Sequence, residues 1–434
     1  MSVYTTMVSP DCGCDDTALV APLMTVSDAL ETGLAMVAKV EATETVPLHL
    51  ARGRILARPV QAQADMPGFD NSGMDGYALC TKDLIPGRAL VLPVQAVSAA
   101  GDAVVPLVSG TAMRIYTGAP VPQGADAVVM QEQTDREGDR ITLTRRPEPG
   151  ENIRRQGEDM RRTDRVLDAG RLLDPKAIAA CAGAGVGQVD VWRKLKVALV
   201  LTGDELTKAG EPLQGGAIWD VNTPMLCSLI ECGWAGVTEI RQVADDRAAM
   251  IAALDELAGR VDMIVTSGGV SVGDRDHVKP ALAALGAKIG VSGVAIKPGK
   301  PITLSALGDT MVVSLPGNPV SAFVTWVVFG APIAARMAGL TGAGLTGAGL
   351  TGAGHTRRHV RADQALRHKP GRCEYRPARI SGYGSDGLEV VTTGTRTHSA
   401  QLGPLAEADG LVLIPAGVDC LNQDDLMEFL PFQA

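Results

Sequence analysis

The sequence predicts a multidomain α/β protein built around a doubly wound, mostly parallel sheet. Three observations carry this. From Lys194 to about Ala338, apolar strand-like runs alternate with helical stretches, the pattern of a parallel sheet covered by helices on both faces. On either side, Pro59–Pro149 and Val360–Ala434 hold short β-like runs separated by Gly and Pro, which read as small all-β units, the second a barrel or sandwich. Finally, a length of 434 residues leaves room for about two to four domains.

Taken in order, residues 1–23 are small and polar and read as a disordered tail, in which the pair Cys12 and Cys14 leaves a metal or redox role as the lesser alternative. Val26–Val40 has apolar residues at helical spacing, with Ser27 as its cap and Glu31 in the first turns. Ala89–Val97, Met113–Tyr116 and Ala127–Gln131 are strands of the first β unit. Arg154–Arg171 is a basic loop segment, and Pro175–Ala184 is a helix with Pro in its first turn. The α/β alternation then pairs Lys196–Leu201 with Met225–Cys232, Val261–Thr266 with Val278–Leu285, and Met311–Ser314 with Val320–Phe329. Gly339–Gly354 is a repeat of a five-residue unit, too short for a solenoid and read as a flexible linker. Leu388–Thr393 and Leu411–Pro415 are strands of the last unit.

Composition narrows the function. With 40 basic and 49 acidic residues the net charge is −9, and aromatics are 3%. A nucleic-acid binder would carry a basic excess and aromatic stacking platforms. No N-terminal stretch resembles a signal peptide, and the longest apolar run, Ala322–Ala335, is short for a bilayer. Eight dilute cysteines form no framework, so the expectation is a soluble protein of a reducing compartment, with no membrane partner.

Ligands of doubly wound sheets bind beyond the carboxyl ends of the strands, and three exits are rich in chemistry. In VALVLTGDEL a strand runs into Asp204 and Glu205, which suit divalent-metal or general-base work, or else a helix cap. In DMIVTSGGVSVGDRDHVKPAL, Ser267, Gly268 and Gly269 form a turn whose backbone N–H groups could converge on an anion. Asp274 and Asp276 follow before a helix, one of them for capping. In VVSLPGNPVSAF, Asn318 is a natural cap, Pro319 suits the first helical position and Ser321 adds a hydroxyl. Between the last two lies VAIKPGKPITL, where a stiff turn holds Lys297 and Lys300 as an oxyanion clamp. The first β unit adds two polar loops, PGFDNSGMDGYAL and YTGAPVP, with Asp75 and Thr117. There is no Walker loop in the sequence, and no Ser-His-Asp set stands out among its six histidines. The chemistry is therefore positioning and electrostatics on a polyanionic substrate.

Eight stretches, in order over about residues 24–434, resemble the MoeA family of molybdopterin molybdenumtransferases, whose module also forms the E domain of gephyrin. They are PGFDNSGMDGYAL, IYTGAPVPQGADAVVMQEQT, GENIRRQGEDM, TGDEL, IWDVNTPML, TSGGVSVGDRD, AIKPGKP and LPGNPVSA. The resemblance implies an elongated helical domain from 24–60 and 150–192, an inserted β domain at 61–149, a MogA-like doubly wound domain at 193–338, the linker at 339–354 and a C-terminal β-barrel at 355–434. It implies a cytoplasmic homodimer whose active site is shared between subunits, fed by an upstream adenylyltransferase and serving downstream molybdoenzymes. The implied reaction inserts molybdate into adenylylated molybdopterin with release of AMP.

By motif position the resemblance assigns catalysis to Asp75, Thr117, Glu205, Asp245 and Asp276. Glu205, Asp245, Asp274 and Asp276 would hold a divalent cation, Mg²⁺ or Zn²⁺. Substrate would meet Ser267, Gly268, Gly269, Ser271, Asn318 and Lys297, and molybdate would meet Lys297, Lys300, Pro301, Ser321, Arg376 and Ser399. The chain departs from the family at Gly293, where many members carry a lysine, at Gly73, and in having only Ser399 of several C-terminal serines. These departures leave open a paralogue selective for tungsten. A molybdopterin adenylyltransferase would share the doubly wound domain alone, and a gephyrin-like scaffold would share the whole module while binding a peptide.

Overall fold

A computed structural model describes residues 23–270, 276–341, 357–394 and 399–432. The tail with Cys12 and Cys14, Ser271, Asp274 and the repeat from residue 342 onward lie outside the described residues. The chain forms two compact units, one of residues 44–52 and 56–191, the other of residues up to 43, 53–55 and from 192 onward.

The first unit holds a six-stranded sheet. Its strands are β1 (Gly76–Leu79), β2 (Val91–Ser98), β3 (Ala112–Ile115), β4 (Ala127–Met130), β5 (Thr134–Glu137) and β6 (Arg140–Leu143), in the order β4-β1-β3-β2-β6-β5. Tyr77, Leu79, Val129 and Ile141 fill its core. The rest of the unit surrounds α2 (Pro175–Gly183), with Asp174 capping through a 2.8 Å bond from the Ala177 N–H and Pro175 in its first turn. Apart from α2, the segment 150–191 expected to be helical carries short strand pairs, Val60–Gln61 with Arg165–Leu167 and Asn71–Ser72 with Ile153–Arg154. The reason is local: Gly150, Asn152, Gly157 and Thr163 all have positive φ, which no α-helix admits.

The second unit begins with α1 (Val26–Ala35), which packs on the last helix of the α/β layer. Its cap is Thr25 rather than Ser27: Thr25 has extended backbone and its Oγ1 accepts from the Asp28 N–H at 3.1 Å. The α/β layer follows as β7 (Leu195–Thr202), α3 (Asn222–Ile230), β8 (Ala235–Val243), α4 (Arg247–Leu257), β9 (Met263–Ser267), α5 (Val278–Ala284), β10 (Lys288–Ser292), β11 (Ile296–Lys297), β12 (Thr303–Leu307) and β13 (Thr310–Leu315). The sheet order is β8-β7-β9-β13-β12-β10. The first three pairings are parallel and the last two antiparallel, so β12 alone runs against the other five strands and the sheet is mostly parallel as expected. Leu201 pairs with Ser267, and Ser267 with Leu315, so the carboxyl ends of β7, β9 and β13 open along one edge.

From β13 the chain enters α6 (Pro319–Thr325), a π-helical turn (Trp326–Gly330) and α7 (Ala331–Met337). This continuous 19-residue helix, longer than the run read from sequence, is apolar enough to cross a membrane by length and composition alone, but it is 94% buried inside the protein. It is a core helix.

The C-terminal strands are β14 (Arg358–Ala362), β15 (Cys373–Tyr383), β16 (Glu389–Thr393), β17 (Gly410–Ile414) and β18 (Leu426–Pro431), with α8 (Leu402–Ala406) between the third and fourth. They run β15-β16-β14-β18-β17, and β17 pairs back with β15. The sheet closes into a five-stranded barrel around Val360, Val391, Val412 and Phe429, which decides between the barrel and sandwich readings.

Candidate functional site

Three strand exits meet at one rim. At the end of β9, Gly268 and Gly269 have φ of +94° and +65°. A Cβ on Gly268 would lie 2.7 Å from Thr202 Oγ1 at the end of β7, so only glycine lets these exits touch. The Gly268 N–H donates to the Leu315 carbonyl at 3.2 Å. That N–H is thereby committed within the sheet, and at Gly268 the turn offers a floor without a side chain for close approach.

Asn222, in the first turn of α3, ties the rim together. Its Nδ2 donates to Ser267 Oγ at 2.9 Å and to the Gly317 carbonyl at 2.7 Å, linking the exits of β9 and β13. Its Oδ1 is buried with no hydrogen-bond partner, an acceptor aimed at nothing in the protein. Sequence reasoning quoted this residue only within a motif. The signal available was a polar side chain two residues before Pro224 at a helix start, with Asp220 capping through the Thr223 N–H.

The acidic end of the rim follows β7. Glu205 is exposed, and both its carboxylate oxygens would sit 3.0 Å from a Cβ on Gly203. The Glu205 carbonyl accepts from the Ile218 N–H at 2.9 Å, which fixes the loop that carries it. Asp204 Oδ1 accepts from the Asp245 N–H at 3.3 Å, so the loop after β8 comes to the same place. Asp276 precedes α5 beside Lys279: burial pushes that ammonium's pKa down, and the Asp276 charge opposes the shift.

The other end is made by β13, α6 and the barrel. Asn318 stands at the helix cap but does not cap with its side chain; Nδ2 donates instead to Ser399 Oγ at 2.9 Å. The Ser399 carbonyl accepts from the Val320 N–H at 3.1 Å, so Ser399 lies against the first turn of α6. Ser321 is 4% exposed. The lysine turn packs on the same helix, with the Gly299 backbone against Thr325. Lys297 lies 3.5 Å from Glu374 Oε2, and Arg376 Nε donates to Glu374 Oε1 at 2.7 Å. The Lys300 carbonyl accepts from the Val294 N–H at 2.9 Å and the Pro301 carbonyl from Thr303 Oγ1 at 3.3 Å, which holds the turn closed. Arg376 is 5% exposed, so it is no open anion holder: Glu374 and the Arg367 carbonyl take two of its nitrogens.

Gly293 has φ +86°, and its Cβ would approach Leu23 Cδ2 to 3.1 Å. This backbone disfavours the lysine that the family pattern leads one to expect. Gly293→Lys should lower stability by about 1–2 kcal/mol, as urea unfolding would read.

In the first unit, Asp75 and Thr117 meet directly. Asp75 Oδ1 accepts from the Thr117 N–H at 2.7 Å and from its hydroxyl at 2.8 Å. These bonds hold the Asp75 carboxyl below the usual carboxylate range, the backbone N–H contributing most. The loops are latched where the Gly118 N–H donates to the Ser72 carbonyl at 2.8 Å, and the Gly73 N–H to the Asn152 carbonyl at 2.8 Å.

The chain is similar to known proteins along most of its length. Residues 24–185 match the family described as "MoeA N-terminal region (domain I and II)", 198–336 the "Probable molybdopterin binding domain", and 359–432 the "MoeA C-terminal region (domain IV)". It is 40% identical to the molybdopterin molybdenumtransferase of Haemophilus influenzae over 68% of this chain and 73% of that one. It is 37% identical to that of a Nostoc species over 91% of both. The crystal structure of a molybdopterin biosynthesis MoeA protein from Pyrococcus horikoshii superposes with a TM-score of 0.77 at 27% identity, covering 94% of this chain and 99% of that one. Sequence motifs, architecture and relatives agree, and the chain belongs to the MoeA family of molybdopterin molybdenumtransferases.

Proposed function

We propose that this chain acts in molybdenum cofactor biosynthesis, inserting molybdate into adenylylated molybdopterin with release of AMP. One observation carries the reading: a single rim runs from Glu205 and Asp245, over the glycine floor at Gly268, to the turn of Lys297 and Lys300 against the barrel. Such a rim offers carboxylates at one end and cations at the other. A dinucleotide-like substrate has a phosphoanhydride for the first and delivers its dithiolene, with a tetrahedral dianion, to the second.

Family membership implies a divalent cation, and the donor chemistry fits one. Glu205, Asp245 and Asp276 offer only oxygens, a hard set that suits Mg²⁺ better than Zn²⁺, which draws His and Cys. Among the described residues no three acidic, His or Cys side chains group closely enough to hold an ion by themselves. Mg²⁺ needs only one or two protein carboxylates, its shell being filled by water and phosphate oxygens. When bound it would neutralise the phosphoanhydride.

The protein's own groups supply the rest. Glu205 takes the proton of the water that adds to phosphorus as the phosphoanhydride P–O bond breaks and AMP leaves. Asn222 Oδ1 accepts from a donor on the substrate, and the glycine floor lets the anhydride approach. Lys297 and Lys300 hold molybdate. In the homodimer we infer from the family, Asp75 and Thr117 of one copy serve the site of the other. A cytoplasmic setting, between an upstream adenylyltransferase and molybdoenzyme clients, fits this reading.

The test is AMP release from adenylylated molybdopterin with Mg²⁺, with and without molybdate. Release that depends on molybdate supports the insertase. Release that ignores molybdate, or none from folded protein, overturns it.

A further inference from the structure

Glu374 is fully buried, at 0% side-chain exposure, yet it lies beneath the half-exposed Lys297. A carboxylate removed from water persists only with paired cations and hydrogen bonds. Its cations come from two different layers. Lys297 belongs to β11, a two-residue strand that leaves the α/β layer and pairs in parallel with β15 of the barrel. In that register Lys297 stands opposite Glu374, and the Cys373 N–H donates to the Ala295 carbonyl at 2.8 Å. Arg376 lies two residues further along β15, and the Arg367 carbonyl, 2.6 Å from its terminal nitrogen, fixes its guanidinium.

A third basic side chain is close but takes no charge. His368 Nε2 is 4.0 Å from Glu374 Oε2, and Nδ1 lies 3.1 Å from the Val418 carbonyl. A carbonyl only accepts, so the Nδ1 position carries the proton. Burial pushes the His368 pKa down, which keeps the ring neutral. The carboxylate is thus shared by Lys297 and Arg376, and of these two cations it is Lys297 that reaches the surface.

We propose that Glu374 is a positioning residue that holds Lys297, backed by Arg376, at a fixed place for a tetrahedral dianion. This rests on the insertase reading above. Without the carboxylate the two cations repel each other, and the lysine stem regains its rotamers. The competing account is purely structural, a buried ion pair that knits the barrel to the α/β layer. The two differ in what they do to molybdate.

The experiment is molybdate-dependent AMP release by Glu374→Gln, which keeps the volume and can still accept from Arg376. Its half-saturating molybdate concentration should rise about tenfold to a hundredfold. Its rate at saturating molybdate and its half-saturating adenylylated molybdopterin should stay near wild type. An unchanged molybdate dependence, or equal losses for both substrates, overturns the proposal. If Glu374→Gln does not fold, Glu374→Asp takes its place, retaining the charge but drawing it back by one methylene. A severalfold rise specific to molybdate then supports the role, and an unchanged value overturns it. Wild-type protein in the same assay separates the failures: no molybdate-dependent release from it would remove the insertase reading itself.

Discussion

Glu205→Gln should cut molybdate-dependent AMP release by about a hundredfold or more, the usual cost of removing a general base, while the protein stays folded. The side chain is exposed, so its stability should change by no more than about 0.5 kcal/mol. The loop survives because the main chain holds it, through the Glu205 carbonyl and the Ile218 N–H. A thermal scan establishes the intact fold, and the same sample gives the rate. Near-normal AMP release would take Glu205 out of the mechanism.

Arg376→Ala is expected to act on stability and on molybdate together. Arg376 and Lys297 both lie beside the buried carboxylate of Glu374. Removing one partner of a buried pair typically costs about 3–5 kcal/mol. The lower end applies here because Lys297 remains. Glu374 then draws more strongly on Lys297, and that ammonium is pulled away from any incoming anion. The half-saturating molybdate concentration should therefore rise more than that of adenylylated molybdopterin. Denaturant unfolding and paired titrations measure both. An unchanged molybdate dependence would show that Arg376 serves the fold alone.

The fold was legible where burial was two-sided. β7, β9 and β13 are near-continuous apolar runs because each has neighbours on both edges and cover on both faces. β8 escaped because it is an edge strand whose exposed positions include Thr238, Ile240 and Gln242, leaving no apolar run to find. β10, the strand at the other edge, escaped similarly, with Lys288 and Ile289 exposed. At the site, residue types at strand exits were readable because a parallel sheet forces those exits to one edge. Pairings distant in sequence were not. Arg376 read as an open anion holder because a sequence displays a guanidinium but not the carboxylate that occupies it. The signal was faint but present: in Cys373–Arg376, strand alternation sets Glu374 and Arg376 on one face.

The order of synthesis gives the buried helix of α6 and α7 a further meaning. A 19-residue apolar segment left uncovered on a nascent chain is an invitation to aggregation or to the membrane-insertion machinery. Here α1, α3 and β13, against which it packs, all precede it in the chain. The ribosome thus releases the most apolar helix after these partners, so its waiting time in water is short. Circular permutation that moved residues 319–337 to the front would reverse that order, and the same native contacts would then have to form after the exposed helix had already been made.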